Sequence, residues 1–216
     1  MKIRAVCAGP VDTNAYLIVN ETDGTAVAVD TPMGSAAWFE EEAKRHDVSI
    51  TQIWLTHSHW DHTADCEQLR LSTGARVFMH AADEYRLIDP NSHLVFDMPY
   101  TFTASRLDET IVHGQHLLCG SDLWEVRHVP GHTEGSVCFV HHKERVIIAG
   151  DTLFKASVGR TDLPGGNHEQ LITSIQRELM TLDDNMIVLP GHMDFTTIGE
   201  ERASNPFLNH NFGGME

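Results

Sequence analysis

The chain is poor in several things that would have named a class. It has four cysteines in 216 residues, Cys7, Cys66, Cys119 and Cys138, and no two stand close enough for a CxxC pair. That excludes a zinc knuckle and a dense disulfide framework and favours a reducing, cytoplasmic setting. No apolar run approaches the roughly 18 residues of a membrane-spanning helix. The first residues, MKIRAVCAGPVDTNAYLIV, hold no continuous apolar segment before a small-residue cleavage site and read as a first strand rather than a leader. Positive charge is scarce as well. Fifteen Lys and Arg against 31 Asp and Glu leave a formal net charge of −16, a surface that repels nucleic-acid phosphates and anionic membranes. With 41% hydrophobic residues the chain is nevertheless an ordinary globular one, and its length fits one domain over residues 1–216.

What the sequence does have is histidine, 15 of them, several in tight clusters. Around them the apolar pattern is strand-rich. Ile3–Val6, Ala15–Val19 and Thr25–Val29 read as a meander, Ile50–Thr56 as a strand that stops at His57, and Ala75–Met79 as the next strand. Helices are expected over 36–45, capped by Ser35, and over 63–71, ended by Gly74. Asp65 is also placed to favour the start of that second helix. Between 89 and 103 two prolines and no stable period predict a long loop, a candidate pocket rim. Five short strand signals follow between Ile111 and Gly150. The most regular helix, 168–182, carries Leu171, Ile172, Ile175 and Leu179 on one face; a strand at 186–189 and a helix at 198–204 close the pattern. Two strand-rich halves, each closing in helix, predict two sheets with helices outside. Val129-Pro130-Gly131-His132 and Leu189-Pro190-Gly191-His192 repeat one device, a proline that stops a strand, a glycine that frees the backbone and a histidine presented at the strand end.

The densest chemistry lies in Thr56-His57-Ser58-His59-Trp60-Asp61-His62, four ligand-type side chains in six positions directly after a strand. An extended chain sends His57, His59 and Asp61 to one side, and His62 needs a turn to follow them. A tight loop can therefore divide the group into two neighbouring sets, enough for two metal ions. The competing reading is a solvated histidine loop or a metal-free His–Asp network.

His-x-His-x-Asp-His followed by isolated His132, Asp151 and His192 resembles the metallo-β-lactamase superfamily of metal-dependent hydrolases, over about residues 11–207. Gly150–Phe154 (GDTLF), Val158–Gly166 (VGRTDLPGG) and Glu201–Leu208 (ERASNPFL) resemble its small glyoxalase II-like members. The resemblance implies an α+β, αββα sandwich of two mixed sheets covered by helices, with metals at the sheet ends. It implies His57, His59 and His132 as one metal set, Asp61, His62 and His192 as the other, and Asp151 as the bridge between two divalent ions. Imidazole and carboxylate donors suit zinc, with ferrous iron as the alternative. Metal-bound water ionises near neutrality, and its hydroxide is the implied attacker of a carbonyl carbon, with Asp61 orienting the water or accepting its proton.

The implied substrate is a thioester such as S-lactoylglutathione, whose thiolate leaves without much acid catalysis. Arg160 is the candidate contact for a substrate carboxylate, against a plain ion pair with Asp162, and Lys155 is a candidate attractor of anions, against a solvated lysine. Trp60 is either a wall of the site or packing beside the loop. Asn14 and Tyr16 are possible pocket residues. Two departures set this chain apart: only 24 residues follow His192, so the glutathione-gripping helical region of full-length relatives is not expected, and Arg160 replaces their usual lysine. The rival readings are a persulfide dioxygenase using one iron at His57, His132 and Asp151, a lactonase, a nuclease, for which no basic track exists, and a non-catalytic metal-binding protein. A monomer and a homodimer are equally compatible with the sequence.

Overall fold

Strand Thr13–Asn20 is buried at seven of its eight positions, with no polar face turned to water. A strand buried on both sides must lie in a sheet covered on both sides, and the three apolar clusters of the protein show how. Ala15, Leu17 and Val19 pack outward against helices, whereas Tyr16 and Ile18 point into the space between two sheets.

The computed structural model describes residues 1–95 and 97–209; Phe96 and residues 210–216, which the expected 1–216 domain included, lie outside the described residues. The first sheet has the order β1 (Lys2–Ala8), β2 (Thr13–Asn20), β3 (Thr25–Val29), β4 (Ser49–Trp54), β5 (Arg76–His80) and β6 (Glu109–Ile111). Its first three strands are antiparallel and the rest join in parallel. Next in the chain come β7 (His116–Cys119), β8 (Asp122–His128), β9 (Val137–His141), β10 (Val146–Gly150), the hairpin β11 (Leu153–Phe154) with β12 (Ser157–Val158), β13 (Ile187–Pro190) and β14 (Thr196–Thr197). The second sheet runs β14-β13-β10-β9-β8-β7. Trp54 from the first sheet meets Trp124 and Phe139 from the second at ring distances of 6.2 and 5.1 Å, filling the space between the sheets.

Helices α1 (Ala36–Arg45), α2 (Trp60–Thr63), α3 (Cys66–Thr73) and α4 (Glu84–Ile88) belong to the first half of the chain; α5 (His168–Glu178), α6 (Ile198–Ser204) and α7 (Pro206–Asn209) follow the second sheet's core strands. Phe39 and Leu69 cover one outer face, and Leu171, Ile175 and Ile198 the other. The αββα sandwich expected from the sequence is the fold. Among the described residues no helix is long and apolar enough to cross a membrane.

Three local expectations are corrected. The helix expected over 63–71 starts only at Cys66 and runs to Thr73, because Asp65 is tied to the neighbouring segment: its N–H donates to Thr31 O and its carboxylate accepts from Ala36 N at 3.0 Å. Asp65, not Ser35, thus caps α1, and the buried Ser35 hydroxyl makes no hydrogen bond. The helix from His168 stops at Glu178, four residues early, where Leu179 N and Met180 N both donate to Ile175 O.

Candidate metal centre

Four strands end on the same edge of the sandwich, and each delivers part of the site. The loop after β4 carries His57 and His59, and α2 supplies the turn that brings Asp61 and His62 round. The loop after β8 carries His132, Asp151 follows β10, and His192 follows β13. A register shift between Ile148 and Gly150, just where β10 leaves β13, re-aims the chain at Asp151.

The seven side chains meet. Ligand atoms of His57, His59 and His132 lie within 4.8 Å of one another, as do those of Asp61, His62 and His192, and those of His57, His62 and Asp151 between them. In the first set His132 Nε2 is 2.8 Å from His59 Nδ1 and 3.2 Å from His57 Nε2. Its Nδ1 lies 2.7 Å from the carbonyl oxygen of Arg160 and therefore holds the proton, so Nε2 presents a lone pair. In the second set Asp61 Oδ2 is 3.2 Å from His192 Nε2 and 3.4 Å from His62 Nε2. Asp151 reaches both sets, with Oδ1 3.3 Å from His62 Nε2 and Oδ2 3.5 Å from both His132 Nε2 and His192 Nε2.

Each set has a buried carboxylate behind it, and sequence reasoning missed both. Asp30 Oδ2 accepts from His62 Nδ1 and Thr56 Oγ1, and Oδ1 from Thr56 N, all at 2.8 Å. Asp30 therefore fixes the proton of His62 on Nδ1 and leaves Nε2 as an acceptor. Asp83 touches no ligand side chain. It accepts from Ser58 N and Oγ, Thr133 Oγ1 and Gly135 N, at 2.6–3.0 Å, and so clamps the loop of His57 and His59 to the loop of His132. A faint signal existed for Asp30, a carboxylate ending an apolar strand; Ala81-Ala82-Asp83 carries none.

The charge pattern is uneven. Burial and the surrounding imidazoles push His57 well below the usual histidine range, and burial with His132 pushes His59 down to about 3. Burial acts the same way on His62, but Asp151, Asp61 and Asp30 outweigh it and hold that imidazole well above its ordinary value. Burial would raise Asp151, yet His62 and its neighbours keep its carboxyl well below the carboxylate range. The donor set also fits a cation: His62 Nε2 and Asp151 Oδ1 are buried, stand 3.3 Å apart and make no hydrogen bond, although buried polar atoms are costly to leave unsatisfied.

Both Pro-Gly-His segments need their glycines for space, and a Cβ at Gly131 would stand 2.3 Å from Leu171 N. Gly131 takes φ +134°, and its carbonyl receives Asn167 N just ahead of α5. Gly191 is needed for space, since a Cβ there would stand 2.1 Å from Asp151 Oδ1. Asn14 and Tyr16 hold this second loop from below: Asn14 Nδ2 and Tyr16 Oη donate to Pro190 O at 3.1 and 2.6 Å. They are loop supports and do not line the cleft.

That cleft, about 530 Å³, opens over His59, Asp61, His132, Asp151 and His192. Trp60 forms one wall and the 89–103 loop, as expected, contributes the rim through Leu94, Val95, Met98 and Tyr100. Arg160 lines the cleft but is paired with Asp162 through two 2.7 Å hydrogen bonds. Lys155 is exposed in the β11–β12 turn and does not line the cleft.

The family model of the metallo-beta-lactamase superfamily matches residues 8–192. A Haemophilus influenzae protein named hydroxyacylglutathione hydrolase GloC is 33% identical over 97% of this chain and 99% of its own. Two solved structures superpose over nearly the whole chain. The BLEG-1 B3 metallo-beta-lactamase has a TM-score of 0.88 and 37% identity, covering 97% of this chain and all of its own. TTHA1623, solved in a di-iron-bound form, has a TM-score of 0.81 and 30% identity, covering 95% and all of its own.

Proposed function

This chain belongs to the metallo-β-lactamase superfamily of metallo-hydrolases, and from that premise we propose that it hydrolyses thioesters at a two-metal centre held by His57, His59 and His132 on one side, Asp61, His62 and His192 on the other, and Asp151 between. The observation that carries this reading is the pair of buried side-chain atoms without a hydrogen bond, His62 Nε2 and Asp151 Oδ1, facing each other among seven ligand-type side chains. Five imidazoles and two carboxylates without a thiolate suit zinc and iron(II) alike. Bound there, divalent ions supply Lewis acidity and bring the ionisation of water toward neutral pH.

The chain's own residues supply the rest. Asp61 lines the cleft with Oδ2 held by Thr13 Oγ1 at 3.1 Å, placed to orient an incoming water and take its proton as the oxygen attacks the acyl carbon. The C–S bond then breaks and the sulfur departs as a thiolate, a leaving group that needs no positioned acid. The thioester class rests on this fit and on the likeness to the hydroxyacylglutathione hydrolase, and S-lactoylglutathione is the first substrate to assay. A second reading, β-lactam hydrolysis, is favoured by the likeness to the B3 metallo-β-lactamase. The test is turnover after zinc or iron(II) loading, with and without oxygen, on S-lactoylglutathione, a chromogenic cephalosporin, a lactone and glutathione persulfide. Oxygen-independent thiol release that disappears in His57→Ala and Asp151→Ala supports the proposal. Stoichiometric oxygen uptake on the persulfide, without thioester cleavage, replaces it with sulfur oxidation.

A further inference from the structure

Glutathione carries two carboxylates, and a cleft that grips it needs cations to meet them. Among the described residues lining this cleft, only Arg86 and Arg160 carry fixed positive charge, and both are already neutralised. Arg86 is buried, donates twice to Glu134 Oε2 at 3.0 Å and once to Pro164 O at 2.7 Å, and stands 3.6 Å from Asp83. Its guanidinium is a strut between α4 and the loops around it. Arg160 is bound in a two-point pair by Asp162, whose carboxyl it draws down to about 2. Lys155 faces elsewhere. The remaining field is that of a chain at −16.

The walls are of the opposite character. Trp60, Leu94, Val95, Met98, Tyr100 and Leu163 line the space beside the metal ligands, and Val95 and Tyr100 are 45% and 40% exposed. Large apolar side chains left in water around a concave site favour an apolar occupant, which removes their surface and its own from solvent. Cations held by the metal centre act on the scissile carbonyl; a carboxylate farther along the substrate must find its partner on these walls.

Resting on the hydrolase reading above, we infer that the acyl-thiol for which this cleft is built is apolar and uncharged on either side of the scissile group, a medium-chain or aromatic acyl group on a small neutral thiol, and that anionic glutathione conjugates are its poorer substrates. The pairing of Arg160 with Asp162 is the specificity device, since it removes the one exposed guanidinium at the cleft.

The test compares matched esters on the metal-loaded enzyme: lactoyl, acetyl and benzoyl groups, each on N-acetylcysteamine and on glutathione. Within the neutral series KM falls by about tenfold or more from acetyl to benzoyl, as expected for burying an aromatic ring. For a given acyl group the glutathione ester has the higher KM, by about fivefold, and Asp162→Asn, which frees Arg160, narrows that gap for glutathione alone. Met98→Ala raises KM for the benzoyl ester more than for the acetyl ester. A glutathione ester that binds as well as or better than its neutral match, or a KM indifferent to acyl size, overturns the inference and leaves thioester hydrolysis standing. If no thioester is cleaved, it is the hydrolase reading that fails. The same preference is then read by calorimetry with the thioethers S-benzyl-N-acetylcysteamine and S-benzylglutathione, where equal or tighter binding of the glutathione thioether overturns the inference.

Discussion

The two halves of the proposed metal centre are built from the same kinds of side chain but held in different ways. Behind the second set, Asp30 grips a ligand directly, taking the Nδ1 proton of His62. Behind the first, Asp83 grips only the loops, tying Ser58 to Thr133 and Gly135 so that His57, His59 and His132 arrive together. Their electrostatics differ accordingly. The first set is all imidazole, with the pKa values of His57 and His59 pushed down; the second includes Asp61 and an imidazole, His62, whose pKa three carboxylates hold above its ordinary value. One centre thus combines an imidazole set that burial disfavours from protonating with a carboxylate-rich one where a proton competes with the metal.

The comparison breaks most completely at the residue both halves share. Asp151→Ala is expected to cut hydrolysis at least about a thousandfold and to lower metal content at both sets, since it removes the one carboxylate that reaches each. The two supporting carboxylates then separate the halves. Asp30→Asn should weaken the second metal equivalent about 10–100-fold and leave the first, and Asp83→Asn should do the reverse, both read by metal titration. Asp83→Asn should also lower unfolding stability by about 2–3 kcal/mol in denaturant titration, because four donors lose a charged acceptor. Gly191→Ala is a milder cut at the same divide. Its Cβ displaces the Asp151 carboxylate and the adjoining His192 loop, so both equivalents are expected to weaken, the second, which also loses His192, the more, by about tenfold.

The smallest effect is a proton count. Asp151, Asp61 and Asp30 hold His62 above its ordinary pKa, so metal uptake by the second set competes with a proton there. His57 and His59 are held below theirs, where that competition is weaker. Calorimetry in buffers of different ionisation enthalpy should show more proton release with the second equivalent than with the first. Affinity for the second should accordingly weaken sooner on acidification.

Much of this arrangement was legible in the residues. The strand ends that present His57, Asp151 and His192 follow apolar runs bounded by turn residues, and the ligand spacing alone allows two sets. The outward and inward faces of β2 could not be read, because a strand covered on both sides has no polar alternation. Asp83 and Asp65 were hidden for another reason. Each carboxylate acts on backbone N–H groups brought to it by the fold, at positions 25 or more residues away, and local pattern carries no trace of such partners. Asn14 and Tyr16 read from sequence only as possible pocket residues, and the packing of β2 shows that they support the His192 loop. The ion pair of Arg160 with its neighbour was one of two readings from sequence, and geometry shows it formed.

The central claim is that two metal ions sit in two separable sets. The most direct measurement is metal stoichiometry by mass spectrometry on the loaded protein, its His59→Ala/His132→Ala variant and its Asp61→Ala/His192→Ala variant, all checked for native circular dichroism. Two ions per chain in the parent and one in each folded double variant are expected. A folded parent that cleaves thioesters at full rate with no bound metal, or double variants that both keep two ions, would contradict the account.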